Sequence, residues 1–198
     1  MIKIGITGGI GSGKSVVASL LELSGIPVYV ADKESKLLTT RSSVIREKLT
    51  RLLGNDLYTA NGLDKKRLAS HIFGNPELLK QVNAIIHPEV NHHFLAWAGK
   101  QKSPVCAIES AILFESGFDR DVDVTLMVYA PKEIRIRRAQ ERDGVSREEI
   151  ERRIDSQLSD EIKRDRSDYV IVNDGKHALL PQIRSFLKEL PFINKEFH

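Results

Sequence analysis

Cysteine is nearly missing from this chain: Cys106 stands alone in 198 residues, so no intramolecular disulfide can form and a reducing cytoplasm is the expected setting. It lies in the apolar run Pro104-Val105-Cys106-Ala107-Ile108, where a thiol reads as a small buried hydrophobe rather than a nucleophile. Long hydrophobic runs are missing too. No stretch approaches the roughly 20 apolar residues of a membrane span, and the start of the chain enters a strand-like segment with no signal-peptide pattern, so neither membrane insertion nor secretion is expected. An excess of one charge is also absent. Thirty Lys+Arg against 27 Asp+Glu leave +3, too even to make nucleic acid or a membrane surface a bulk electrostatic partner. Repeats and low-complexity segments are not found. A chain of this length, 41% hydrophobic and 29% charged, reads as one soluble globular domain with room for inserted lobes.

What is present is a phosphate-binding signature at the front. Thr7-Gly8-Gly9-Ile10-Gly11-Ser12-Gly13-Lys14-Ser15 reads as GxxxxGKS from Gly8, after the apolar Ile2-Lys3-Ile4-Gly5-Ile6 and before the helix-forming Val16-Val17-Ala18-Ser19-Leu20-Leu21. Strand, loop and helix therefore come in the order that this motif requires. Glycines let backbone N–H groups from Gly9 to Lys14 curl around a phosphate, and the helix beyond points its positive end at the same place. Lys14 adds a mobile charge for the outer phosphates, and the Ser15 hydroxyl is placed to ligate Mg²⁺. A nucleoside triphosphate is the expected ligand.

Along the chain, Ile26 to Val30 reads as a second strand, ending at Ala31-Asp32. Ligands of open α/β sheets bind beyond the carboxyl ends of the strands. Asp32 is thus a candidate base for an acceptor hydroxyl, or equally the N-cap of a helix beginning at Lys33; position alone leaves both open. Residues 33–101 show no convincing strand. Helices are expected over 43–53 and 63–73 and from Pro76, with a kink or restart at Pro88 before 89–100. Val105 to Glu109 reads as a buried strand ending in an acid, which either helps to hold Mg²⁺ or is a solvated strand end. A fourth strand is expected over 122–130 and a helix from Pro131. On that helix Arg135, Arg138 and Arg142 share a face at i, i+3 and i+7, and Ser146-Arg147-Glu148-Glu149 opens the next helix as a capping box. Between Lys132 and Arg166 eleven Lys/Arg face ten Asp/Glu; most read as exposed ion pairs, and one or two arginines as lid groups that meet the transferring phosphoryl. Strand five with its turn, Asp168 to Gly175, and a helix from His177 to Leu190 complete the pattern.

The fold expected is α/β: a five-stranded parallel sheet with helices on both faces, of the P-loop NTPase and kinase type. The expected core is 1–32, 102–140 and 167–198, with a helical acceptor-binding insertion at 33–101 and a lid at 141–166. A regulatory GTPase is disfavoured, because D-x-x-G is absent and the sole Asn-Lys pair is Asn194-Lys195. A small-molecule kinase fits better.

The block from Thr7 to Ser15, Ala31-Asp32, His87-Pro88, Ile112-Leu113-Phe114-Glu115 and Arg142-Asp143 together resemble the dephospho-CoA kinase family, in order from residue 2 to about 175. The resemblance implies transfer of the ATP γ-phosphoryl to the ribose 3′-hydroxyl of dephospho-CoA, with Mg²⁺, and a small molecule as the sole partner class. It implies Asp32 as base and Thr7 beside the hydroxyl, Gly11, Ser12, Gly13, Lys14, Ser15 and Val16 around the phosphates, and Arg138 and Arg142 on the transferring group. Asn173 and Gly175 would lie near the adenine. His87 would stand at the base of the insertion, unless it is a structural, hydrogen-bonded histidine. Where the family shows Asp and Pro, this chain has Glu109 and Ala111, and Glu109 is the expected Mg²⁺-side acid. Another nucleoside or metabolite kinase is the alternative.

Overall fold

In the computed structural model of the chain, residues 1–60 and 62–190 are described. Asn61 of the expected insertion and residues 191–198 of the expected core lie outside them. Strands β1 (Ile2–Thr7), β2 (Val28–Val30), β3 (Tyr58–Thr59), β4 (Gly62–Leu63), β5 (Val105–Glu109), β6 (Val124–Tyr129) and β7 (Tyr169–Val172) occur among the described residues. The helices are α1 (Lys14–Leu23), α2 (Ala31–Arg41), α3 (Ser43–Leu53), α4 (Lys65–Ile72), α5 (Pro76–Ala98), α6 (Lys132–Asp143), α7 (Arg147–Asp155), α8 (Asp160–Arg166) and α9 (Leu179–Glu189). Two compact units divide the chain: Met1–Tyr29 with the segment from Gln101 onward, and Val30–Lys100.

In the first unit a five-stranded sheet runs in the order β2-β5-β1-β6-β7. The pairings of β1 with β5, β1 with β6 and β6 with β7 are parallel, in the registers Ile2↔Val105, Ile4↔Val124 and Leu126↔Tyr169. Alternation along a strand sends successive side chains to opposite faces. Ile2, Ile4 and Ile6 therefore join Val105, Ala107, Leu126 and Val128 on one face, packed against Val17, Ala18 and Leu21 of α1 and Ile183 and Phe186 of α9. The opposite face meets the segment after β5. A Cβ on Gly5 would stand 2.8 Å from Leu113 and 3.0 Å from Val122, so glycine lets that segment close on β1; α8 packs near β6 on the same unit. This is the expected five-stranded sheet with helices around it, and it brings the carboxyl ends of β1, β5, β6 and β7 to one edge.

The second unit departs from expectation in two places. Residues 33–101 do contain a strand pair: β3 and β4 are antiparallel, with Tyr58 opposite Leu63 and Thr59 opposite Gly62. Runs of two residues carry too little alternation to be read from sequence. Helix α5 also continues through Pro88 rather than restarting. Proline removes one N–H from the ladder, but Val82, Ile86, Val90, Phe94 and Ala98 are buried at a four-residue spacing on both sides of it, and α2, α3 and α4 pack against the helix. A continuous apolar stripe outweighs one missing hydrogen bond.

The segment expected as a lid starts inside α6, which runs to Asp143 and is closed by Gly144 at φ 66. Ser146 does cap α7 by accepting from the Glu149 N–H, and Ser159 caps α8 by accepting from the Ile162 N–H. Ile150 and Ile154 of α7 pack with Ile136 and Ala139 of α6 and with Ile10 of the glycine loop.

Candidate active site

The loop between β1 and α1 is a cup that side chains larger than hydrogen would fill. Gly8, Gly11 and Gly13 have φ of 144, 77 and 92, a region that other residues rarely adopt. A Cβ on Gly8 would fall 2.3 Å from the Val128 carbonyl, one on Gly11 2.2 Å from the Arg135 carbonyl and one on Gly13 2.1 Å from Asn173 Nδ2. The cup is therefore closed in by the ends of β6, α6 and β7. Ser12 N–H donates to the Gly9 carbonyl at 3.1 Å, and Val16 N–H donates to Gly13 at 3.0 Å, beginning the helix. Lys14 is 9% exposed and its ammonium donates to the Gly9 carbonyl at 3.3 Å, folded across the loop. Ser15 and Val16 are exposed on the first turn of α1. Two buried hydroxyls, Thr7 Oγ1 and Ser12 Oγ, have no hydrogen-bond partner. Buried polar groups are nearly always satisfied, so these two hydroxyls stand apart from the rest of the loop.

Two arms brace this cup. Asn173, just past β7, donates from Nδ2 to the Ser12 carbonyl at 2.8 Å, and its own carbonyl accepts from Arg138 Nη1 at 2.9 Å. Arg138 is thus half-buried and anchored, and Gly175 follows at φ 83. Asp174 between them accepts from the Lys176 and His177 N–H groups at 2.9 and 3.0 Å, bonds that hold its carboxyl well below the usual range. Arg142, one turn beyond Arg138, is exposed and paired with Asp143 at 2.7 Å. Of the three arginines on this helix face, the most buried is Arg135, at 3% exposure, pressed on Gly9 and paired with Asp160. Sequence reasoning noted its place on the face but gave it no site role; nothing in the spacing separates a buried arginine from its exposed neighbours.

Glu109 ends β5 opposite Ile6 of β1 and is 9% exposed, so a solvated strand end does not describe it. Beyond it, Glu115 accepts from Leu158 N–H at 2.9 Å and pairs at 3.1 Å with Lys163, which is fully buried and also donates to the Ala111 carbonyl at 2.6 Å. Glu115, quoted from the sequence only for its motif, thus ties the segment joining α7 to α8 to the segment that follows β5.

Asp32 and His87 belong to the second unit. Helix α2 starts two residues earlier than expected: Val30 occupies the cap position without a side-chain bond, and Asp32 lies exposed in the first turn. The capping explanation for Asp32 is therefore excluded. Beside it runs a groove of about 620 Å³ lined by Lys33, Lys36, Arg41 and Lys65. His87 is half-buried in α5, and burial pushes its pKa down, toward the neutral ring. Among the described residues no cluster of three or more His, Cys, Asp or Glu forms a metal cage.

Comparison with known proteins decides the family. The sequence profile described as dephospho-CoA kinase (CoaE) matches residues 2–178. The chain belongs to the dephospho-CoA kinase family. A dephospho-CoA kinase of Bacteroides fragilis is 48% identical over 198 residues, spanning 100% of this chain and 95% of that protein. A crystal structure of a Thermus thermophilus protein superposes with a TM-score of 0.83 at 38% identity, covering 96% of this chain and 97% of that one. The dephospho-CoA kinase of Campylobacter jejuni superposes at 0.68 with 25% identity, covering 94% and 96%. A dephospho-CoA kinase is a transferase with ATP as the phosphoryl source. No helix among the described residues is long and apolar enough to cross a membrane.

Proposed function

We propose that this chain transfers the γ-phosphoryl group of ATP to the ribose 3′-hydroxyl of dephospho-CoA, giving coenzyme A and ADP, the last step of CoA synthesis. The observation that carries this reading is the family match over residues 2–178 on a chain whose phosphate loop admits glycine alone at its tightest points. Backbone N–H groups from Gly11 to Val16 bind the β-phosphate, and Lys14 leaves the Gly9 carbonyl to meet the β- and γ-oxygens. Asn173 and Gly175 border the adenine. The Asp32 carboxylate accepts the proton of the 3′-hydroxyl as that oxygen bonds to the γ-phosphorus and the bond to ADP breaks. Thr7, whose buried hydroxyl has no partner, hydrogen-bonds the acceptor. Arg138, held by Asn173, and Arg142, which would exchange Asp143 for phosphate, offset the charge on the transferring group.

The residues present fit Mg²⁺. A hydroxyl at Ser15 and a carboxylate at Glu109 are hard oxygen donors, and Mg²⁺ in kinases takes its other positions from phosphates and water rather than from a protein cage. Bound there, it would neutralise charge on the β- and γ-oxygens. The helical insertion, 33–101, would hold the acceptor, with His87 at its base; the cations Lys33, Lys36, Arg41 and Lys65 suit the acceptor's pyrophosphate. Residues 141–166 would close as a lid. A cytoplasmic setting suits the single buried thiol.

A kinase for another nucleoside or metabolite is not favoured by the family match. Incubation with ATP, Mg²⁺ and a panel of acceptors tests the choice. ADP release and a mass gain of one phosphoryl group are expected with dephospho-CoA and near background with adenosine, shikimate and gluconate. Comparable turnover of one of those acceptors would overturn the assignment.

A further inference from the structure

Arg135 is buried like a core residue, yet its guanidinium rests on the phosphate cup. A Cβ on Gly9 would stand 1.6 Å from Arg135 Nη1 and 3.0 Å from Asp160 Oδ1. Nη2 pairs with Asp160 Oδ2 at 2.5 Å, Nη1 donates to the Ile10 carbonyl at a long 3.5 Å, and the buried Nε has no partner. A charged donor left unmade inside a protein is costly, so simple packing is a poor account of this arrangement. Asp160 is as conspicuous. Its side chain is 15% exposed and lies beside a loop whose purpose is to receive a polyanion. Burial raises its pKa, opposed by Arg135, Lys163 and Lys14; unneutralised, its charge would repel a nucleotide.

We propose that Arg135 is a nucleotide-phosphate ligand held in reserve by Asp160. When a nucleotide enters the cup, the guanidinium turns a donor from the carboxylate to a phosphate oxygen, and the idle Nε keeps a donor available for the exchange. Asp160 is the first residue of α8, so the exchange also reports occupancy of the cup to that helix. The inference rests on reading the cup as the ATP site and adds a third arginine to Arg138 and Arg142.

A neutral pair of similar shape separates this role from a structural one. R135Q/D160N removes both charges, leaving the net charge of the pair unchanged. Calorimetric titration with Mg²⁺·ATP should show binding about tenfold weaker in R135Q/D160N, because the reserve cation is gone, and severalfold tighter in D160N alone, because it is released. Parent-like affinity in the double variant, or weaker binding in D160N with an unchanged melting profile, would overturn the proposal. Should either variant fold poorly, the Nε–Hε resonance of Arg135 in the parent protein, assigned by its loss in R135K, serves instead. It should shift on adding ADP, and an unmoved resonance at saturation would refute the exchange. A parent protein that binds no ATP would instead refute the nucleotide reading itself.

Discussion

Asn173 donates its side-chain amide to the Ser12 carbonyl at 2.8 Å, joining residues 161 positions apart. Because its own carbonyl also accepts from Arg138 at 2.9 Å, one asparagine links the phosphate loop, the end of β7 and an arginine of α6. Asn173→Ala keeps the main-chain carbonyl that holds Arg138 but removes the amide bond to Ser12, so it should cost about 1 kcal/mol of stability, the usual worth of such a bond, and raise the KM for ATP severalfold by loosening the loop. Denaturant unfolding and steady-state kinetics check this; a parental KM would show that the link does not position the loop.

Glu115 and Lys163 make a different kind of link. The ammonium is fully buried at 3.1 Å from the carboxylate, so removing the acid leaves an uncompensated charge. Glu115→Ala should destabilise the fold by about 3–5 kcal/mol, whereas Lys163→Met, which removes the charge and keeps apolar volume, should cost clearly less. Equal losses in chemical denaturation would contradict this reading of the pair.

Burial pushes the Cys106 thiol up to about 11, against an ordinary value near 8.5. The folded protein should resist iodoacetamide at pH 8 and react only when unfolded in urea. Between the ordinary value and about 11 the folded state binds more protons than the unfolded one, so this group's contribution to stability falls as pH rises through that window. Rapid labelling of the native protein at pH 8 would contradict the burial argument.

The sheet and the phosphate loop were readable in advance because their signals are local. Gly8, Gly11 and Gly13 lie where the backbone demands φ > 0, and Ile2, Ile4 and Ile6 alternate toward the core formed by α1 and α9. The expectation at Pro88 failed because local chain chemistry predicts a break, while the stripe from Val82 to Ala98, packed on other helices, keeps α5 continuous. The pair β3 and β4 is too short to show a period. Asp32 is legible as an acid following a strand, whereas its exclusion as a cap follows only from the start of α2 at Ala31. Arg135 illustrates the limit most sharply: its pairing with Asp160, 25 positions away, and its contact with Gly9 are tertiary facts with no periodic signature.

In the proposed reaction Asp32, exposed in the first turn of α2 and not at its cap position, takes the proton from the acceptor hydroxyl. Turnover of dephospho-CoA by Asp32→Asn, measured alongside its affinity for ATP, tests this most directly. Loss of a general base predicts a kcat lower by about two to four orders of magnitude with ATP binding nearly intact; a kcat equal to the parent's would contradict it.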